Sequence, residues 1–175
     1  TVSHHESVSD ACRLLQEGRH RDPFEVLGCH RQGGKWQLRA MFPAAVEAQV
    51  LLAERSLSMQ RLADTDLFVC TLDGSAAPDY RLRWRAAQGD WVEGEDPYRF
   101  SPTIGDLDLH LFSEGRHQHA WRFLGSQLKV IDGVPGCLFA VWAPHIQRIS
   151  VVGDFNGWNG LRHPMRNRGH SGVWE

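Results

Sequence analysis

Apolar and polar residues alternate along most of this chain with a period of two. Trp36, Leu38, Ala40 and Phe42 fall on one side of a predicted strand and Gln37, Arg39 and Met41 on the other, with Pro43 ending it. Residues 46–52 and 67–72 read as further strands. Tyr80, Leu82 and Trp84 then alternate with Arg81, Arg83 and Arg85, the pattern of an antiparallel strand with one face in a core and the other in water. Asp73-Gly74, Gln88-Gly89-Asp90 and Gly94 supply turns between them. Helical periodicity is confined to the beginning. Residues 1–7 are polar and expected to be loose, Ser9 is placed to cap a short helix whose Ala11, Leu14 and Leu15 share a face, and Gly18 is placed to end it. Short strands punctuated by Gly and Pro predict an all-β sandwich.

The pattern then recurs. Leu27-Gly28, Leu38-Arg39-Ala40-Met41-Phe42-Pro43 and Val50 are echoed by Leu124-Gly125, Phe139-Ala140-Val141-Trp142-Ala143-Pro144 and Val151, and in both copies the valine stands seven positions after the proline. A repeat of about 100 residues implies two successive domains of one kind, because solenoid units are several-fold shorter. Superposing the copies at an offset of 101 sets Glu175 opposite Gly74, so residues 75–100 have no counterpart. The second sandwich is therefore expected to be incomplete, to expose unpaired backbone and core side chains, and to pair with another chain or be poorly ordered at its end. The expected boundaries are 1–21 for an N-terminal tail and short helix, 22–105 for the first module, and 106–175 for a linker and the incomplete second module. Within the last segment, residues 106–125 read as an extended linker with a helical turn near 119–123. Val130, residues 139–142 and residues 149–152 read as strands, and 172–175 as a strand cut in half. The predicted architecture is two tandem immunoglobulin-like β-sandwiches, the second truncated, behind a short N-terminal helix.

Composition narrows the function. Apolar residues at 42% and charged residues at 23% are ordinary for a globular protein. A net charge of -2, with seventeen dispersed arginines and only Lys35 and Lys129 as lysines, argues against nucleic acid as a partner. Cys12, Cys29, Cys70 and Cys137 stand singly, as reduced and partly buried thiols do in a cytoplasmic protein. No apolar run is long enough for a membrane span and no signal-like opening occurs, so the cytoplasm is the expected compartment and membranes are not an expected partner. His4-His5 and His117-x-His119 lack the further ligands that zinc requires, so neither a metal nor another cofactor is expected. Glu93, Glu95 and Asp96 form the densest acidic group, on a turn-rich segment, and read as a solvated cluster rather than a catalytic pair.

Chemistry of a different kind gathers at Gly153-Asp154-Phe155-Asn156-Gly157-Trp158, directly after the predicted strand Ile149-Ser150-Val151-Val152. Such a loop holds an indole and an amide at the end of a sheet. The indole of Trp158 can cover the apolar C–H face of a pyranose while Asn156 hydrogen-bonds its hydroxyls. The alternative is that Trp158 packs under its own loop. Trp36 and Trp84 are assigned to the core, and Trp121, Trp142 and Trp174 to packing.

The segment from Phe139 to Pro144, followed by Val151 to Trp158, resembles the starch- and glycogen-binding module that precedes the catalytic barrel of many α-glucan-active enzymes. It also resembles the glycogen-binding domain of the AMP-activated kinase β subunit. With Asp22-Pro23-Phe24-Glu25-Val26-Leu27-Gly28, Asp96-Pro97-Tyr98-Arg99-Phe100, Leu111-Phe112-Ser113-Glu114-Gly115-Arg116-His117, Arg162-His163-Pro164-Met165 and Gly172-Val173-Trp174-Glu175 in this order, the chain is similar to the N-terminal half of bacterial 1,4-α-glucan branching enzymes. One departure is Ser126-Gln127, where that family tends to have Ala-His.

The resemblance implies a cofactor-independent transferase of the α-amylase superfamily that moves an α-1,4-linked glucan chain to an α-1,6 position in glycogen biosynthesis. The catalytic carboxylates would lie on a barrel of about 250 residues absent from this chain, so no catalytic residue is expected here. It further implies that Trp158 aligns with a sugar-stacking tryptophan, that Trp91 is the first module's counterpart of a second platform, and that α-glucan is bound weakly or not at all. The modules would support the parent's own C-terminal barrel. The alternatives are a stand-alone glycogen-binding regulatory module, the N-terminal part of a debranching or trehalose-releasing hydrolase, and a protein-interaction sandwich in which Trp158 is structural.

Overall fold

In the computed structural model, which describes residues 3–175 and side chains from Asp10 onward, the chain begins with helix α1 (Ser3–Gln16). The helix is 14 residues long, so Ser9 lies inside it rather than at its cap, and residues 3–7 are helical rather than loose. Neither proline nor glycine interrupts this stretch, and a helix once nucleated propagates through such residues. The same expectation for Thr1 and Val2 falls outside the described residues. Cys12 and Leu15 are buried. Gly18, at φ +67, ends the helix, with the amides of Gly18 and Arg19 donating to the carbonyls of Leu15 and Leu14.

The chain divides into two units, Thr1–Arg99 and Phe100–Glu175. Among the described residues the first contains eight strands: β1 (Gly28–Gln32), β2 (Lys35–Met41), β3 (Ala45–Leu51), β4 (Ser56–Ser58), β5 (Gln60–Arg61), β6 (Leu67–Leu72), β7 (Arg81–Ala86) and β8 (Val92–Gly94). They form two antiparallel sheets, in the orders β1-β2-β6-β5 and β4-β3-β7-β8. Leu38 on β2 lies between Cys29 on β1 and Cys70 on β6, so all three side chains share one sheet face. From the other sheet Ala48, Val50 and Leu82 join Leu38, Phe68 and Leu72 in one buried cluster, which makes the unit a sandwich. Trp84 is half-buried and stacks on Phe42 with ring centroids 4.4 Å apart, while Arg83 and Arg85 face outward to Gln49 and Glu47.

Two turns of one design close an end of this sandwich. In Asp22-Pro23-Phe24 and in Asp96-Pro97-Tyr98 the aspartate carboxylate accepts from the amide two residues on, at 3.2 and 3.0 Å, and the two aromatic rings meet edge to face at 4.9 Å. Asp96 is almost wholly buried, and its other oxygen accepts the Tyr80 hydroxyl at 2.5 Å. Burial pushes its carboxyl above the ordinary carboxylate value, against the opposing pull of the Tyr80 hydroxyl, the Tyr98 amide and Arg99. Burial and the neighbouring Asp96 charge likewise hold the Tyr80 hydroxyl protonated.

In the second unit, β9 (Gly125–Ile131), β10 (Val134–Trp142) and β11 (Val173–Trp174) form one antiparallel sheet in the order β11-β10-β9. Residues 106–113, expected to be an extended linker, are instead helix α2 (Asp106–Ser113). Its apolar residues satisfy helical spacing as well as alternation: Leu109 and Phe112, three apart, turn onto Ile104, Phe123, Ala140 and Val173, while Leu107 is exposed. Asp106 and Asp108 in the first turn suit the positive end of the helix. The expected helical turn near 119–123 is a 3-10 turn at Ala120–Arg122.

Residues 149–152 were also expected to be a strand. They make only a bridge, Ser150 with Pro164, supported by the Val151 amide donating to His163 and the Met165 amide donating to Ile149. The last residues are the best buried of the unit: Val173 and Trp174 are enclosed, and the Glu175 carboxylate accepts the Thr103 hydroxyl at 2.9 Å and pairs with Arg168 at 2.6 Å. One face of β9 and β10 instead leaves apolar side chains in solvent, with Leu128, Val130, Phe139 and Val141 all exposed.

Candidate functional site

The Gly153–Trp158 loop is built on a buried amide. Asn156 is 2% exposed, its Oδ1 accepts the Gly153 amide at 3.0 Å, and its Nδ2 donates to the Val151 carbonyl at 2.9 Å and to His163 Nδ1 at 3.0 Å. With both amide hydrogens used and the side chain buried, the group is not placed to meet a sugar hydroxyl, and the expectation that Asn156 contacts ligand is corrected. It is the strut that fixes the loop. His163 Nδ1 can accept only when unprotonated. Burial and the neighbouring Arg162 charge hold that imidazole below its usual value.

What the strut holds outward is aromatic. Trp158 is 66% exposed, in the left-handed region at φ +58, after Gly157 at φ +61. A bulky residue adopts that backbone at a cost of about 1 kcal/mol or more, a strain typical of functional loops. Its indole N–H donates to Asp154 Oδ1 at 2.9 Å, so the ring is fixed by its edge and free on its faces. The packing reading of Trp158 is excluded by this exposure. Phe155 is exposed on the same loop and packs over Gly153, where a Cβ would lie 2.7 Å from its ring, and beside His163 at 5.3 Å. Asp154, Phe155 and His163 did not stand out in the sequence. The first two belong to the motif itself, whereas His163 is seven residues past Asn156, in the segment Arg162-His163-Pro164-Met165 that shares the family resemblance, and nothing local ties it to the loop.

Trp91 lies in the other unit and is less exposed, at 39%. The guanidinium groups of Arg83 and Arg85 sit 4.8 and 5.4 Å from its ring centre, so a pyranose stacking there has to displace them. Trp174 is buried as expected, Trp36 and Trp84 pack against the first unit's core, and Trp142 touches Phe112 yet is largely exposed. Trp121, expected to pack, is exposed. Glu93 pairs with Arg81, and Glu95 bridges Arg81 and Arg99 at 3.0 and 3.1 Å. This acidic group is an ion-pair network around a buried Asp96, not an opposed carboxylate pair. His117 Nε2 bonds Asp108 at 2.8 Å and its Nδ1 accepts the His119 amide at 3.0 Å, which occupies both ring nitrogens. The side chains of His4 and His5 fall outside the described ones.

Comparison with known proteins follows the same division. Residues 8–98 match the family described as alpha-1,4-glucan branching enzyme GlgB, N-terminal domain, and residues 124–175 match carbohydrate-binding module 48, the isoamylase N-terminal domain. The chain is 48% identical over 172 residues to 1,4-alpha-glucan branching enzyme GlgB of Hydrogenovibrio crunogenus, covering 96% of this chain and 23% of that protein. The enzyme of the same name from Methylococcus capsulatus is 49% identical, over 96% of this chain and 23% of that protein. The chain thus spans about a quarter of the length of the curated relatives it matches. A pullulanase structure from Paenibacillus barengoltzii, complexed with maltohexaose and alpha-cyclodextrin, aligns at a TM-score of 0.40 with 23% identity, over 66% of this chain and 19% of that one, a likeness too slight to bear on function.

Proposed function

Because this chain belongs to the family of N-terminal domains of alpha-1,4-glucan branching enzyme GlgB, we propose that it is the non-catalytic N-terminal part of such a transferase. In glycogen biosynthesis the parent moves an α-1,4-linked glucan chain to an α-1,6 position. The modules support the parent's catalytic barrel, act in the cytoplasm, and hold glucan weakly. Among the described residues no helix is long and apolar enough to cross a membrane.

In this reading the glucan lies on Trp158. The supporting observation is the exposed indole, fixed edge-on by Asp154 above the buried Asn156 strut, within a segment that matches a carbohydrate-binding module. A fixed flat ring loses little entropy when a pyranose covers it, and aromatic platforms of this kind suit a repeated ligand. Asn156 is a positioning residue. Trp91, with its ring shared by two guanidinium groups, is a secondary contact.

The test is a titration of the chain with maltoheptaose, followed by the Trp158 indole resonance. Binding is expected in the millimolar range, about -4 kcal/mol, and Trp158→Ala should weaken it at least tenfold with the fold intact. Unchanged binding in that variant would overturn the assignment.

A further inference from the structure

Residues 103–129 of the second unit enclose a cleft of about 510 Å³ that glucan binding at Trp158 does not use. Ile104, Leu111 and Phe123 form its apolar part, and Arg116, Arg122 and Lys129 line it against one carboxylate, Asp108. That carboxylate is already bonded to His117 Nε2 at 2.8 Å, and His117 Nδ1 lies 3.0 Å from the His119 amide. Arg116 shares Glu114 at 3.4 Å in an exposed and weak pair. Among the described residues, Arg122 and Lys129 have no carboxylate within ion-pair distance. The lining therefore carries a surplus of two positive charges. Arg122 lies over the ring of Trp121 at 5.5 Å, and the His119 ring meets its edge at 6.4 Å. Trp121 is 70% exposed, so an indole stands open beside a cationic cleft.

Neither half of this arrangement is needed for packing. The aromatic half accepts the C–H face of a sugar, and the cationic half accepts a compact anion, for which guanidinium and ammonium groups around a phosphate are the usual recognition chemistry. A phosphate monoester carries nearly two negative charges at neutral pH, which matches the surplus. We propose that this cleft binds a phosphate monoester on a glucosyl unit, with the phosphate drawing Arg122 off the Trp121 ring toward Lys129 and the pyranose taking the place of that guanidinium on the indole. A sugar is favoured over a nucleobase because residues 124–175 of the same unit, Lys129 among them, match a carbohydrate-binding module. The site is independent of glucan binding at Trp158.

The phosphoglucosyl group has two sources, a free hexose phosphate or a phosphorylated glucan chain. The 175-residue chain is titrated with glucose 6-phosphate, a maltooligosaccharide 6-phosphate, inorganic phosphate, glucose and AMP, with the amide and indole spectra as readout. Glucose 6-phosphate is expected to saturate, to shift the Trp121 indole, and to bind at least tenfold more tightly than glucose or inorganic phosphate. Tighter binding of the oligosaccharide phosphate identifies the glucan as source, and the reverse identifies the free metabolite. Arg122→Gln with Lys129→Gln, both exposed positions, should weaken binding about tenfold or more, as should Trp121→Ala, whereas Trp158→Ala should not alter it. The proposal is overturned if no sugar phosphate saturates the chain, if the charge-removing variant binds as well, or if AMP binds as tightly.

Discussion

The two units start from the same local design and end with different cores. In each, a 3-10 turn leads to a glycine near φ +95, Gly28 or Gly125, and then to a two-residue hairpin with both central residues at positive φ, Gly33-Gly34 or Asp132-Gly133. These are the turns whose twist matches paired strands. On the second strand the equivalence fails. Leu38 and Ala40 are 0% and 3% exposed, while their counterparts Phe139 and Val141 are 37% and 39% exposed. The first sheet faces a second, β4-β3-β7-β8, and the β9-β10 sheet has no second sheet facing it among the described residues. An apolar stripe on a strand is thus only an offer of a core. Burial requires a second layer.

The most severe way to break this comparison is to excavate the two equivalent positions. Leu38→Ala should lower the unfolding free energy of the first unit by about 3 kcal/mol, and Phe139→Ala should cost the second unit less than about half of that. Urea unfolding decides it, and equal losses would mean that both faces are buried in solution. Next in size, Asn156→Ala leaves the Gly153 amide and the Val151 carbonyl without their partner. A loss of about 2 kcal/mol is expected, together with loss of maltoheptaose binding although the residue touches no ligand. Retained binding with a destabilised fold would uncouple the strut from the platform.

Acid and base should separate the units in opposite directions. The Asp96 carboxyl titrates above its ordinary 3.8 in the folded state, so its contribution to stability is complete below that pH and is lost as pH rises through the folded value. Asp96→Asn should flatten that decline. His163 titrates below its ordinary 6.5, so its contribution is complete above 6.5 and is lost as pH falls through the folded value. Loosening of the Gly153–Trp158 loop below pH 6.5, read from the Trp158 indole resonance, checks this, and His163→Gln should remove it. Smallest of all, Trp91→Ala should cost about 1 kcal/mol or less, the worth of an exposed cation–π contact, with little change in maltoheptaose binding. A large loss of binding would restore Trp91 as a platform.

The strands of the first unit were legible because alternation there is enforced by a real core. Predicted residues 36–42, 46–52 and 67–72 correspond to β2, β3 and β6 within a residue at each end. Helix α2 was misjudged because Leu107, Leu109 and Leu111 alternate, and only packing shows that Leu109 and Phe112 carry the contact. At the candidate site the motif located Trp158 but mistook the direction of Asn156. A side chain that can bind a sugar hydroxyl can equally bind its own backbone, and composition does not distinguish the two.

By itself, the order of residues determined the all-β class, the tandem repeat, the turns and the loop that carries Trp158, since these rest on local periodicity and backbone preference. Tertiary structure alone decided which apolar faces are covered, that Asn156 is a strut, that Asp96 is buried against Tyr80, and that Trp121 stands beside a cationic cleft. Coverage of the apolar faces and the Tyr80–Asp96 contact depend on residues distant in sequence meeting in space, whereas the Asn156 strut and the setting of Trp121 depend on which way side chains turn within one short segment, and no local pattern records either.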